Sequence, residues 1–333
     1  MDSSSSSAAN TVNMARSIIL NTYFVILILG VIGNGLNILV FNRLKIFRGN
    51  RWAFYLTFAA IVDIGYIIVL FASNFLQTIN TKDPQTYTLV WCRIRSILFQ
   101  TLTLTSFFTI CFAACDQFFS TSYRLNMRQI CTFRMAQCFT FGNICIWFLH
   151  SIIYGVYLQI QGSLGCIITN PIMSSYSSSF FYSVLYGPLP LVIAVFFSLL
   201  AFRNVRRIVR RQVPIERRQL DQQMTAMILI RVCFFVVFAL PYSIYKIYTI
   251  ITPIPSATPF QSAIKQLLQV LFTLWTGINF TCAFYIFVAS SPAYRRQLRH
   301  LLVKRYWRRW RATNKNRINP ENRAPTASEI EFE

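Results

Sequence analysis

Apolar residues in this chain come in long blocks separated by short, arginine-rich polar stretches. The blocks fall near 17–42, 53–78, 93–118, 135–159, 180–202, 224–251 and 263–288. A helix needs about 20 mostly apolar residues to cross the hydrocarbon of a bilayer, and inside lipid only helices and closed barrels satisfy their own backbone. The pattern therefore predicts seven membrane-spanning helices. The third block is the least apolar because it is rich in Thr and Ser. Such hydroxyls bond to their own helix or to a neighbour, which predicts a helix in the bundle interior. The expected fold is an all-α membrane protein, a seven-transmembrane-helix bundle.

Charge orients the bundle. Cytoplasmic loops retain Lys and Arg, and 25 of the 32 basic residues lie in four segments: Arg43 to Arg51, Arg124 to Arg134, Arg203 to Arg218, and the stretch after Tyr294. Arg16, Lys82, Arg93, Arg95, Lys246 and Lys265 belong to the other segments, and Arg231 lies inside the sixth block. The expectation is a multi-pass plasma-membrane protein with its N-terminus extracellular and its C-terminus cytoplasmic. The start, Met1, Asp2 and a run of five serines, lacks the basic and apolar run of a cleavable signal, so the first span is expected to direct its own insertion.

Composition narrows the function classes. With 55% hydrophobic residues, 13% charged residues and a mean hydropathy of +0.47, the chain is too apolar for an ordinary soluble domain. The net charge of +22 would suit nucleic acid, but basic clusters between apolar blocks follow membrane topology rather than one binding face, so no nucleic-acid partner is expected. The basic segments read either as topology signals touching anionic lipid or as a cytosolic docking face. An enzyme would need convergent titratable groups, and the whole chain holds ten acids and two histidines. With His150 and His300 alone, no metal constellation is expected.

Topology also sorts the cysteines. Cys111, Cys115, Cys138, Cys145, Cys233 and Cys282 fall within blocks, and Cys131 lies on the reducing side. Cys92, at the start of the third block, and Cys166, between the fourth and fifth, remain outside. They are expected either to form a disulfide that pins that loop over the bundle mouth or to stay as two free thiols.

Several short motifs recur in order. The first block has Gly33-Asn34, and the second has Phe58-Ala59-Ala60-Ile61-Val62-Asp63, a lone carboxylate in an apolar helix. The third ends in Asp116-Gln117-Phe118, the fourth has Trp147, and the fifth has a proline, Pro188 or Pro190. Phe238-Ala239-Leu240-Pro241 and Ala283-Phe284-Tyr285-Ile286-Phe287 follow in the sixth and seventh, then Pro292-Ala293-Tyr294-Arg295-Arg296-Gln297-Leu298. In this order and spacing, over roughly 17–303, the chain resembles the rhodopsin-like (class A) G-protein-coupled receptors, in particular divergent invertebrate members of the neuropeptide-receptor kind. The resemblance implies a short amphipathic eighth helix at the last motif. It also divides the chain into a disordered extracellular segment 1–16, a receptor domain 17–303 and a cytoplasmic basic tail 304–333. Tyr306, Trp307 and Trp310 in that tail are expected to rest on the inner leaflet.

The motifs also depart from the family. Asp-Arg-Tyr becomes Asp116-Gln117-Phe118, Cys-Trp-x-Pro keeps only Pro241, and Asn-Pro-x-x-Tyr is replaced altogether. In the family the triplet arginine pairs with its neighbouring acid at rest and meets the G protein on activation. A bond from uncharged Gln117 to Asp116 is weaker than a charge-assisted one, which predicts a looser latch and raised basal signalling, with loss of coupling as the alternative. Arg231, costly if unpaired in lipid, is expected to pair with Asp63 or Asp116 and partly replace the latch, or else to snorkel without a switching role. Asp63, Ser106 and Asn279 match positions that hold an allosteric sodium ion in relatives. Their other reading is a buried hydrogen-bond network. No further cofactor is expected.

The ligand pocket is expected between the outward halves of the third, sixth and seventh spans, with Phe99, Gln100, Thr103, Tyr242, Ser243, Lys246 and Gln269 as its residues. Amine receptors carry an acid where this chain has Phe99, so an amine ligand is not expected. Arg93, Arg95, Lys246 and Lys265 against the single acid Asp83 make the mouth positive, which favours an anionic ligand such as a peptide C-terminus. The leading function is a receptor that binds an extracellular neuropeptide and activates a heterotrimeric G protein. The alternatives are a non-signalling decoy of the same fold and a transporter or channel, against which stand the few charges in the spans.

Overall fold

The computed structural model describes residues 2–43, 50–79, 88–161, 165–208, 215–252, 259–292 and 294–303. Its compact unit to Ser291 contains α1 (Asp2–Arg43), α2 (Arg51–Ile79), α3 (Leu89–Thr121), α4 (Leu125–Ile130), α5 (Phe133–Val156), α6 (Pro171–Tyr176), α7 (Pro188–Ile208), α8 (Ile215–Ile251), α9 (Pro259–Thr281) and α10 (Ala283–Ser290). Six helical stretches are each long and apolar enough to cross a membrane, and the bent pair α9–α10 makes a seventh. Outer faces carry bare hydrocarbon, as on α5 at Ile146, Leu149 and Ile153, which a lipid solvent permits and water does not.

Helix α3 is the axis of the bundle and packs against α2, α5, α7 and α8. Its hydroxyls do what their burial requires. Thr109 Oγ1 donates to the Thr105 carbonyl at 2.6 Å. Asn143 of α5 donates to the same carbonyl at 3.0 Å and to Thr109 Oγ1 at 3.2 Å, and its oxygen accepts from the Trp147 indole at 2.7 Å. Aromatic rings fill the centre. Tyr66 stacks on Phe280 at 3.8 Å, and Phe107 lies 4.5 Å from Phe235 and 5.9 Å from Phe280, joining α2, α3, α8 and α9.

Two segments differ from expectation. Helix α1 starts at Asp2, where disorder was expected over 1–16; adding residues to an existing helix costs far less than nucleating one. The fifth span starts at Pro171 rather than near 180. Asn170 caps α6 by accepting from the Met173 N–H, with Pro171 at the first helical position. A π-helical stretch, Ser177–Tyr186, then leads through Gly187 into α7. Pro188 and Pro190 cannot donate backbone bonds to the preceding turn, and the wider π winding falls just before them. A Cβ on Gly187 would lie 2.7 Å from Ser243 Oγ, so glycine permits the close approach of this span to α8.

Between α5 and α6 runs a two-stranded antiparallel hairpin, β1 (Leu158–Gln161) and β2 (Gly165–Ile168). Cys166 of β2 is disulfide-bonded to Cys92 on the first turn of α3. Arg93 clamps the same junction, donating from Nε to the Leu158 carbonyl at 3.3 Å and from Nη2 to that of Val156 at 3.0 Å. The expected disulfide is thus present, and Arg93, expected at the ligand mouth, serves the hairpin.

The second unit begins at Pro292 and is helical over 294–303, where the eighth helix was expected. The basic tail 304–333, Lys82 and Asp83 lie outside the described residues, as does the side chain of Lys265.

Because one bond holds the hairpin to α3, Cys92→Ser, Cys166→Ser and the double variant should lower the melting temperature of the purified protein by the same amount. A double variant melting well below either single one would show that the cysteines act separately.

Candidate functional site

The middle of the bundle holds a buried ion pair. Asp63 of α2 is 1% exposed and Arg231 of α8 is 3% exposed. Arg231 Nη2 lies 3.5 Å from Asp63 Oδ2. The other carboxylate oxygen accepts from Ser106 Oγ at 2.6 Å. Arg231 Nη1 donates to both the side-chain oxygen and the backbone carbonyl of Asn279 on α9, each at 2.8 Å. A lone guanidinium in lipid would be strongly unfavourable, as would a lone carboxylate; together, with hydrogen bonds to three further oxygens, each supplies what the other lacks. Of the two acids expected for Arg231, the structure selects Asp63.

The same contacts fall where the seventh span bends. Helices α9 and α10 meet at 53° around Cys282, in a sequence without the family proline. Sharp bends arise where a side chain enters the backbone ladder. Here two consecutive carbonyls before the break accept from outside helices: Asn279 from Arg231 at 2.8 Å, and Phe280 from Asn34 Nδ2 of α1 at 2.9 Å. Phe287, in place of the motif tyrosine, is buried in an aromatic cluster 6.2 Å from Phe41 and 6.5 Å from Trp52.

Pro241 lies inside α8. Proline lacks the N–H that would bond to the carbonyl four residues earlier, and that carbonyl, Val237 O, accepts instead from Trp275 Nε1 of α9 at 3.0 Å. The Trp275 ring also contacts Phe238 at 5.0 Å. Sequence reasoning passed over Trp275; the signal was a proline with an orphaned carbonyl facing a lone indole.

At the end of α3 away from the disulfide, Gln117 does not pair as expected. Asp116 accepts from Arg51 Nε of α2 at 3.0 and 3.2 Å, while Gln117 is buried and donates to Thr225 Oγ1 of α8 at 2.9 Å. The acid takes its cation from a neighbouring helix because the next residue on its own helix is Gln117 rather than an arginine. In the sequence Arg51 belongs to a basic loop segment, and only the fold brings it to Asp116. The nearby Cys131 thiol, outside the spans, is pushed up to about 11 by burial and by Asp116, so it remains protonated.

At the disulfide end the expected ligand residues are gathered only in part. Phe99 packs on Tyr66 at 5.3 Å, with the Arg95 guanidinium 5.1 Å from its ring. Tyr242 lies 5.6 Å from Tyr186 and carries the Lys246 ammonium 5.6 Å from its ring. Thr103 and Gln100 are both buried, and the Gln100 side-chain oxygen lacks a hydrogen-bond partner. Ser243 is buried, donates to the Ala239 carbonyl and packs on Gly187, so it joins helices rather than lining a pocket. Gln269 is exposed on α9 and shares no described contact with the cluster.

The chain matches the seven-transmembrane receptor family of the rhodopsin type over residues 33–282, and it belongs to that family. It is accordingly a multi-pass G-protein-coupled receptor, of a class that is generally non-enzymatic, answers an extracellular ligand and signals through a heterotrimeric G protein. Comparison with curated proteins finds no match.

Trp275→Phe should remove the bond to Val237 and lower the apparent stability of the purified receptor by about 1 kcal/mol, the net value of one hydrogen bond. In a Pro241→Ala background the backbone N–H can serve that carbonyl, so the same change should cost little. Equal losses in both backgrounds would break the link between the proline and the indole.

Proposed function

We propose that this receptor sits in the plasma membrane with its N-terminus outside, binds an anionic ligand, and couples without the family's triplet arginine. The ligand class we favour is a peptide ending in a free carboxylate, as many neuropeptides do. The observation that carries this reading is the cluster beneath the hairpin, where Arg95 and Lys246 flank the aromatic rings of Phe99 and Tyr242. A ligand carboxylate suits a cluster that combines basic groups with aromatic rings, and the tyrosines supply apolar faces with hydroxyl donors. The orientation rests on the basic segments, which flank the ends of the spans opposite the disulfide.

At the coupling end, an exchangeable latch takes the place of the usual one. Arg51 and Asp116 are 27% and 12% exposed at their side chains, and a pair of that exposure contributes only up to about 1 kcal/mol. Gln117 reaches Thr225 of α8 by an uncharged bond. The weakness of the partly exposed ion pair supports raised basal signalling. The decoy reading draws on the same residue, since Gln117 offers a G protein no positive charge.

G-protein activation in cells, with surface expression matched, tests both halves. A library of short peptides in paired C-terminal acid and amide forms should contain agonists whose acid form is the more potent. Lys246→Gln should weaken those acid forms by about tenfold or more, the loss of one charge-assisted contact, and leave amide forms unchanged. Basal activity of the wild type should exceed that of Gln117→Arg. Wild-type silence relieved by Gln117→Arg would favour the decoy, and equal potency of acid and amide forms would remove the carboxylate ligand.

A further inference from the structure

Asp63, Ser106 and Asn279 do come together, as the sodium expectation requires, but they come together around a cation that the chain itself supplies. Arg231 Nη1 stands 2.8 Å from the Asn279 amide oxygen, and Nη2 faces the Asp63 carboxylate at 3.5 Å. Since a guanidinium only donates, the Asn279 side chain must turn its oxygen toward Arg231, and its Nδ2, which has no hydrogen-bond partner, is left pointing elsewhere. Ser106 directs its proton to the remaining Asp63 oxygen at 2.6 Å. A sodium ion needs these same oxygens. Adding one would set two positive charges on a single buried carboxylate and leave the pocket with a net charge that no other described acid in the spans can offset. The residues present therefore do not fit the ion.

We infer that the Arg231 guanidinium is the resident cation of this pocket and that the receptor holds no sodium ion there. A cation attached to α8 is present at a fixed, high effective concentration whatever the salt outside. Its binding and release are movements of α8 relative to α2 and α9, rather than exchange with solution. A sodium ion in this place would make the resting state salt-dependent; the tethered guanidinium makes it a property of helix position alone. The inference depends on the receptor fold but not on the proposed ligand or on coupling, because its test reads thermal stability.

The experiment compares melting temperatures of the purified full-length receptor in sodium chloride and in N-methylglucamine chloride at equal ionic strength. The wild type should melt at the same temperature in both. Arg231→Met should melt lower than the wild type in N-methylglucamine and recover by about 3 °C or more in sodium, saturably, as a stabilising ligand would produce. Asp63→Asn combined with Arg231→Met should be insensitive to sodium. Should Arg231→Met fail to fold, Arg231→Lys keeps a tethered cation and should behave like the wild type. A saturable, sodium-specific rise in the wild type or in Arg231→Lys would overturn the inference, and so would a flat response in Arg231→Met.

Discussion

The structure turns on one requirement: an arginine and an aspartate buried in the middle of a lipid-embedded bundle must neutralise each other. Arg231 and Asp63 do so across α8 and α2, and the guanidinium spends its other donor on Asn279 of α9. Three helices are thereby fixed at one level of the membrane. The bend of the seventh span then follows from those contacts rather than from a proline, because the Asn279 carbonyl has a partner outside its own helix. The charge pair and the bend are one feature seen from two sides.

The same logic recurs wherever backbone polarity is exposed by an irregularity. In hydrocarbon no water is at hand to take an orphaned carbonyl, so a side chain from a neighbouring helix does so. Asn34 serves Phe280 before the bend, and Trp275 serves Val237 ahead of Pro241. Each of these bonds both satisfies a group and joins two helices, so the lesions in the ladders are where the bundle is stitched. Those points, Pro241 on α8 and Cys282 after α9, are also where a helix can change direction, which is what a receptor needs in order to switch.

Much of this was legible in the sequence because lipid imposes simple rules. Long apolar blocks gave the seven spans, and topology singled out Cys92 and Cys166. The hydroxyl-rich third block implied its axial place. Arg231 was legible as a charge in need of an acid, although burial alone left Asp63 and Asp116 open. What decided between them was the position of Arg51 at the head of α2, which local pattern treats as one more loop cation. Trp275 was hidden for a similar reason: its role depends on a carbonyl in another helix, and no periodicity within α9 records that. Helix position alone does not show that Ser243 packs against Gly187 or that Gln269 is exposed on α9.

Whether Asp63 and Arg231 act as a unit is measured directly by a double-mutant cycle on thermal unfolding. Asp63→Asn and Arg231→Met should each cost about 3–5 kcal/mol by leaving a buried charge alone, whereas the double variant should cost much less than their sum. Costs that simply add would mean that the two charges are satisfied independently, and the central interaction described above would be wrong.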